Sequence, residues 1–227
     1  MSLKNSIVVI PARKNSKRIK GKNLRLLDGK PLISYSIEYA LNFIKPEKIW
    51  VNSDDDMILD LSEKYNVSTY KRPDKLAKDT SLTGDVILAF SQFLNKKNID
   101  FKHIVTLQPT NPVRSKKLLK IAFNELKKSK RKSLMSVSLL QKKFGRLNKD
   151  NYSPINYRIG QRHQDLENLY FENGLIYIST IETLLNDKKF ISDDVYPLIT
   201  NEIGNQIDID FEDDLQLAEL IIKNNNQ

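Results

Sequence analysis

Apolar residues along this chain form short uninterrupted runs that alternate with helical stripes. The run IVVI at residues 7–10 has no polar break, as expected of a strand covered on both faces. Pro31 suits the first turn of a helix, and Ile33, Ile37, Ala40, Leu41 and Ile44 then share one face. IWVN at 49–52 predicts a second strand, and Ser53 or Asp54 can cap a helix with Ile58, Leu61 and Tyr65 as its buried stripe. VSTY at 67–70 predicts a third strand, followed by a loop to Thr83 and a helix from about Asp85 carrying Val86, Phe90 and Phe93. IVTL at 104–107 predicts a fourth strand, and Leu118, Leu119, Ala122, Phe123 and Leu126 make the stripe of the next helix. This alternation predicts an α/β fold with a doubly wound, mainly parallel, Rossmann-like sheet, in one domain over residues 1–227.

The rhythm breaks after SLMSVS (133–138). From about Leu139 to Phe171 the chain is polar and aromatic with no helical period, so it reads as an excursion from the sheet, either hairpins or a dimerisation arm. NGLIYIS at 173–179 returns as a strand. QIDIDFEDDLQLAELII at 206–222 predicts a short strand, an acidic turn and a closing helix. There is no internal repeat, and the lysine-rich 127–132 segment and the NNNQ tail read as solvated.

Composition narrows the chemistry. With 227 residues, 40% hydrophobic and 29% charged, the chain can bury a core and is too apolar to be disordered. No apolar run approaches the roughly 20 residues of a membrane span, and IVVI is too short for a signal-peptide core, so a cytoplasmic protein starting near Met1 is expected. Zero cysteines agree with that compartment and exclude thiol nucleophiles. With only His103 and His163, a zinc site is also disfavoured; a metal here would be a hard cation on carboxylates, Mg²⁺ or Mn²⁺. A net charge of +9 points to a polyanionic partner, whether nucleic acid, an acidic lipid surface or a charged metabolite.

Ligands of doubly wound sheets sit beyond the carboxyl ends of the strands, which directs attention to IPARKNSKRIKGKN (10–23), directly after the first strand. Arg13, Lys17, Arg18, Lys20 and Lys22 can surround a triphosphate, with backbone N–H groups adding donors, and Asn15 suits a left-handed turn around a phosphate. The loop lacks the Gly-Lys-Ser/Thr ending of a Walker motif. Taken alone, it also reads as solvated surface charge. Asp208 and Asp210 lie two apart, so on an extended strand both carboxylates face one way and can hold a divalent ion; the alternative is a solvated acidic turn. Asp213 and Asp214 are suited to a helix N-terminus. KKLLKIAFNELKKSKRK (116–132) reads as an exposed helix face or as the docking helix of a nucleic-acid-binding module, but no helix-turn-helix or RNA-binding signature accompanies it.

IPARKNSKRIKGKN followed by LDGKPLISYSIEYAL, and then RPDKLAKDTSLTGDVI, LQPTNPVR, RHQDL, ENGLIYI and DIDFEDDLQLAE, run in order from residue 7 to about 220. This series resembles the N-acylneuraminate cytidylyltransferases, the CMP-sialic acid synthetases, and their relatives acting on other nonulosonic acids. The resemblance implies transfer of CMP from CTP to the anomeric C2 hydroxyl of a nine-carbon α-keto sugar acid, with Mg²⁺ on Asp208 and Asp210 bridging to the phosphates. It places Arg13, Lys22 and Asn23 on the CTP phosphates, with Ser16 and Lys17 in the same loop, and Arg72 and Ser81 beside the cytosine. It sets Gln108 against the sugar acid, Thr110 and Asn111 around its pocket, Arg162 and Gln164 facing the acceptor's carboxylate and side groups, and Asn173 nearby. Arg13, Lys22, Asp208 and Asp210 become the catalytic set. It also implies a homodimer in which the 139–171 excursion helps form the neighbour's sugar site, and neither a nucleic-acid nor a membrane partner. Acceptors within the same fold extend to legionaminate, pseudaminate and shorter octulosonates. One departure stands out: many relatives have Gly-Gly where this chain has Lys14 and Asn15.

Overall fold

The computed structural model describes residues 5–201, 204 and 207–225. Its centre is a seven-stranded sheet in the order β11-β7-β10-β6-β1-β4-β5. The strands are β1 (Ser6–Pro11), β4 (Ile49–Ser53), β5 (Ser68–Lys71), β6 (His103–Thr106), β7 (Ser133–Leu140), β10 (Leu169–Thr180) and β11 (Val195–Ile199). Neighbours β6-β1-β4-β5 and β11-β7 run parallel, and only β10 is antiparallel to both strands it joins. The doubly wound, mainly parallel sheet expected from the alternating pattern is therefore present.

Period-two alternation along β1 separates two cores. Val8 and Ile10 face a cluster built with helices α1 (Leu32–Leu41), α2 (Asp56–Glu63) and α4 (Leu118–Ser129). Ile7 and Val9 face Ile87, Phe90 and Leu94 of α3 (Thr83–Lys96) and Phe101. Phe90 is fully buried among Trp50, Tyr70 and Phe93, with ring centroids 5.3–6.2 Å from it. Helix α2 starts one to two residues later than its sequence suggests: Asp55, not Ser53 or Asp54, is the cap and accepts from the Met57 amide. Ser53 accepts from the Asp55 amide, and Asp54 is drawn away to accept from the Lys14 amide.

A third cluster packs the closing helix α5 (Glu212–Asn225) against the small hairpin β2 (Leu26–Leu27) and β3 (Lys30–Pro31). Here the expected terminal strand fails: residues 207–210 alternate buried Ile207 and Ile209 with outward Asp208 and Asp210, yet they join no sheet. The two isoleucines insert between Ile19, Leu27, Leu32 and Leu215, and a backbone bond from the Ile209 amide to the Thr110 carbonyl helps tie the segment to the body. Alternation survives without a ladder because burial of the isoleucines, rather than strand pairing, sets the direction of each side chain. Gln206 lies outside the described residues.

The excursion is a hairpin. Strands β7 and β10 run on together past a register shift between Glu172 and Tyr177, and between them lie β8 (Gly145–Asn148) and β9 (Asn151–Pro154) in a two-stranded ribbon of their own. Leu147, Tyr152, Ile155, Ile159 and Tyr170 are exposed along it. Among the described residues, no helix is long and apolar enough to cross a membrane.

His103, at the start of β6, is buried edge-on against Phe123, and its Nδ1 has no partner. Burial, helped by neighbouring Lys102, lowers its pKa from 6.5 to about 4. Above pH 6.5 the ring is neutral in both folded and unfolded chains; as pH falls towards 4 the unfolded chain takes up a proton that the folded one refuses, so stability is lost across that window. In urea unfolding, the stability of wild type relative to His103→Leu should therefore drop by on the order of 3 kcal/mol between pH 7 and pH 4. A difference that does not change with pH would show that the buried ring is protonated at no cost.

Candidate active site at the carboxyl ends of the parallel strands

The sheet order reverses between β1 and β6, and there a cleft of about 400 Å³ opens beyond their carboxyl ends. Its walls come from the loop after β1, the segment after β5, the LQPTN turn after β6 and the DID segment before α5.

The loop after β1 is held open by its own backbone. Gly21 takes the left-handed conformation at φ 64° and leads into a short turn over Lys22–Leu24, while Asn15, expected to take that role, does not have positive φ. Buried Asn23 donates through Nδ2 to the Arg13 carbonyl at 2.9 Å, pinning the start of the loop to its end. Ile19 anchors the middle in the third core. Arg13, Ser16, Lys17, Arg18 and Lys22 consequently line the cleft, and Lys20 and Lys14 are exposed away from its lining.

Lys22 is the most enclosed of these cations. Its ammonium donates to the Ile209 carbonyl at 2.5 Å and to Asp210 Oδ1 at 3.1 Å, and Arg18 pairs with the other carboxylate oxygen. Burial would raise the pKa of Asp210, but its bonds to Lys22 and Arg18 outweigh this and hold it below the usual range. Asp208 shifts the other way. The surrounding protein, reinforced by the charge of Asp210, raises it, with Thr110 and Lys22 only partly offsetting this. Across the cleft, Arg13 Nη1 and Lys17 Nζ reach Asp79 at 3.0 and 3.3 Å. Asp79 was not singled out in the sequence; its position inside LAKDTS, beside Ser81, is the signal that could have found it.

Arg72 is buried in the wall, its guanidinium fixed by Nε to Asn52 Oδ1 and Nη2 to the Asn52 carbonyl, both at 2.8 Å. Burial lowers its pKa to about 10, so it stays charged at neutral pH. Ser81, Gln108 and Thr110 also face the cleft. Asn111 and Asn173 lie beneath it. Asn111 Nδ2 donates to the carbonyls of Asn173 and Ile207, both at 2.9 Å, and Asn173 bonds Ser136, Ser138 and Thr200 in a buried polar cluster. Arg162 and Gln164 are exposed on the excursion and lie outside the lining of their own chain's cleft, with Arg162 forked onto Asp165. The structure thus brings together Arg13, Ser16, Lys17, Lys22, Asn23, Arg72, Ser81, Gln108, Thr110, Asp208 and Asp210, and leaves Arg162 and Gln164 apart.

A cleft with facing cationic and anionic walls suits a polyphosphate, and similarity to known proteins agrees. The chain is 35% identical over 228 residues to the CMP-N,N'-diacetyllegionaminic acid synthase of Legionella pneumophila, covering 97% of both chains. It is 31% identical to a pseudaminic acid cytidylyltransferase of Campylobacter jejuni, covering 98% of both. It is 30% identical to an N-acylneuraminate cytidylyltransferase of Streptococcus agalactiae, covering 92% of this chain and 51% of that one. The fold matches a CMP:2-keto-3-deoxy-manno-octonic acid synthetase solved with CTP, with a TM-score of 0.69 at 16% identity, covering 97% of this chain and 99% of that one. The cytidylyltransferase family pattern spans residues 7–226, and the chain belongs to that family of nucleotidyltransferase enzymes.

Proposed function

We propose that this enzyme transfers CMP from CTP to the anomeric C2 hydroxyl of a nonulosonic acid and releases pyrophosphate. The observation that carries the reading is the contact of Lys22 with Asp210: it joins the cationic loop and the paired aspartates in one cleft. The acceptor oxygen attacks the α-phosphorus in line, a new P–O bond forms, the bond to the β-phosphate breaks, and the acceptor's hydroxyl proton is lost. Positioning and charge neutralisation do most of the catalysis in such transfers. Arg13, Lys17 and Lys22 are placed to exchange their aspartates for phosphate oxygens. Arg72 and Ser81 form the cytosine side, Arg72 offering a guanidinium already fixed by Asn52. Gln108 and Thr110 form the acceptor side.

The donor set also suits a hard divalent ion. Asp208 and Asp210 supply carboxylate oxygens, and the raised pKa of Asp208 reflects in part a repulsion that a cation between them would relieve. Among the described residues, no group of three or more His, Cys, Asp or Glu could hold a metal, so phosphates and water would complete the shell, as is usual for Mg²⁺. When bound there, Mg²⁺ or Mn²⁺ would neutralise charge on the triphosphate.

The excursion supports a homodimer. Its apolar side chains are exposed, and Arg162 and Gln164 stand away from their own cleft, as residues serving a neighbour's acceptor site would. The test is an oligomer measurement with complementation: Arg162→Ala and Arg13→Ala chains, each weakly active alone, should regain turnover when co-assembled. No recovery in a mixed dimer would assign Arg162 to its own chain or to no site.

In a pyrophosphate-release assay, turnover should need CTP, a divalent ion and one member of a panel comprising N,N'-diacetyllegionaminate, pseudaminate, N-acetylneuraminate and octulosonates. Tight, salt-sensitive binding of duplex or RNA with no such turnover would overturn the reading in favour of a nucleic-acid-binding module. Arg13→Ala should lose at least about a hundredfold in kcat/KM for CTP, and Asp210→Ala should abolish turnover with the far-UV spectrum unchanged. Normal rates in either would remove that residue from the phosphate or metal site. Because Asp79 occupies Arg13 and Lys17, Asp79→Asn should lower KM for CTP by about two- to tenfold, an effect that fades at high salt. An unchanged or raised KM would mean that Asp79 does not compete with the nucleotide.

A further inference from the structure

Arg114 poses a problem that the reaction itself does not answer. Its guanidinium is buried at the end of the LQPTNPVR turn, and among the described residues no carboxylate pairs with it. Burying a charge without a counter-ion is costly unless its donors are satisfied and its position matters. All three guanidinium nitrogens are used. Nη2 donates to the Gln108 carbonyl at 2.6 Å, Nε to the Leu175 carbonyl at 2.9 Å, and Nη1 to Ser36 Oγ at 3.0 Å, while Ser36 in turn donates to the same Gln108 carbonyl at 3.4 Å. The Tyr39 ring lies 5.8 Å from the guanidinium carbon. Burial lowers the pKa of Arg114 to about 10, so the clamp remains cationic at neutral pH. Two donors therefore converge on the backbone of a glutamine that faces the cleft.

The side chain of that glutamine is confined from the opposite direction. Gly174, at φ +75° in β10, leaves a gap filled by the amide of Gln108: a Cβ there would stand 2.8 Å from Gln108 Oε1 and 2.9 Å from Asn111 Oδ1. Asn111 cannot yield easily, since its Nδ2 bonds two carbonyls beneath the floor. Gly174 thus provides a socket and Arg114 a clamp, one acting on each end of Gln108.

We propose that Arg114 and Gly174 are positioning residues that preset Gln108 and thereby set the enzyme's selectivity for its acceptor sugar acid. This rests on the reading of Gln108 as an acceptor contact. A glutamine free to rotate presents either its carbonyl or its NH₂ group to a hydroxyl-rich ligand; one held by its backbone and by the wall behind its amide presents a fixed pattern and loses little entropy on binding. The pair stands behind Gln108, on the side of the cleft proposed for the acceptor, whereas the side proposed for the triphosphate is built from the loop after β1, so loss of the clamp should be felt by one substrate and not the other.

The test compares Gly174→Ala, Arg114→Lys, Gln108→Ala and the Gln108→Ala/Gly174→Ala double variant, each checked for folding by thermal melting. Arg114→Lys guards against failure of the alanine at positive φ, since a lysine replaces the three-way fork with a single donor centre. With a turning-over acceptor, both single positioning variants should raise KM for the acceptor by at least about tenfold while KM for CTP stays within about twofold. In the Gln108→Ala background, Gly174→Ala should add nothing further. Equal effects on both substrates, or a Gly174→Ala effect that persists when Gln108 is gone, would overturn the proposal and leave the two residues as ordinary packing. A second readout needs no turnover. The side-chain amide resonance of Gln108, assigned by its loss in Gln108→Ala, should show restricted motion by heteronuclear NOE in wild type and become mobile in Arg114→Lys. A resonance already mobile in wild type would overturn the clamp, whereas absence of turnover with every acid in the panel, beside a rigid resonance, would count against the proposed reaction and not against the clamp.

Discussion

The ammonium of Lys22 bonded to the Ile209 carbonyl and to Asp210 is the contact on which the arrangement of this site depends. It joins positions 188 apart in the chain, and the lysine end lies in a nearly enclosed setting where its charge alone would be costly. The DID segment belongs to no sheet, so nothing like a strand ladder fixes its height above the cleft. What fixes it is the insertion of Ile207 and Ile209 into the third core, the hold of Lys22, and bonds from the Ile209 amide to the Thr110 carbonyl and from Asn111 to the Ile207 carbonyl. The same isoleucines pack against Ile19 of the cationic loop. Apolar burial thus brings the loop and the acidic segment to one place, and the ion pair sets their register within it.

A second constraint concerns positive charge held beneath and beside the cleft without carboxylates. Arg72 is satisfied by the Asn52 side chain and carbonyl, and Arg114 by two carbonyls and a serine. Neutral partners orient a guanidinium without cancelling its field. Such preorganised charge stabilises an anionic ligand without reorganising at the moment of reaction. In contrast, the cations of the loop after β1 rest on aspartates and must exchange them. The cleft therefore combines fixed donors with exchangeable ones, and the exchangeable group stands where the triphosphate is proposed to bind.

Much of this was legible in the chain. The strands carry their burial in local sequence: IVVI, IWVN and IVTL are apolar on both faces because they lie in the middle of a covered sheet. The loop cations and the DID aspartates were readable as candidates because a motif order links them. Other features depend on partners distant in sequence. Asp55 became the cap of α2 because Asp54 was drawn to the Lys14 amide, forty residues away. The DID segment kept the alternation of a strand without pairing, because its isoleucines are buried against α5 and the β2-β3 hairpin rather than against a neighbouring strand. Asn111 and Asn173 read as pocket residues from their motifs, yet the Asn111 side chain is spent on the Asn173 and Ile207 carbonyls and that of Asn173 on a serine and threonine cluster below the floor. The role of Arg114 was invisible, since an arginine after Pro-Val announces nothing until Gln108, Ser36 and Leu175 converge on it.

The basic composition of the chain is a separate matter from its site. At +9 the protein carries a large cationic excess, and the loop after β1 is one of its dense stretches. Within the cleft, however, that density is largely matched: Arg13 and Lys17 share Asp79, and Arg18 and Lys22 share Asp210. Much of the excess is carried on exposed surface, as with Lys116, Lys117, Lys120 and Lys127 around α4. A polyanion drawn by the overall field would meet those lysines first, where screening leaves little affinity at physiological salt. In the proposed reading, selectivity for a triphosphate arises from exchange, since two aspartates each hold a pair of cations that phosphate oxygens would take over. Net charge can attract a polyanion, but on this reading the arrangement of those six side chains is what would retain it.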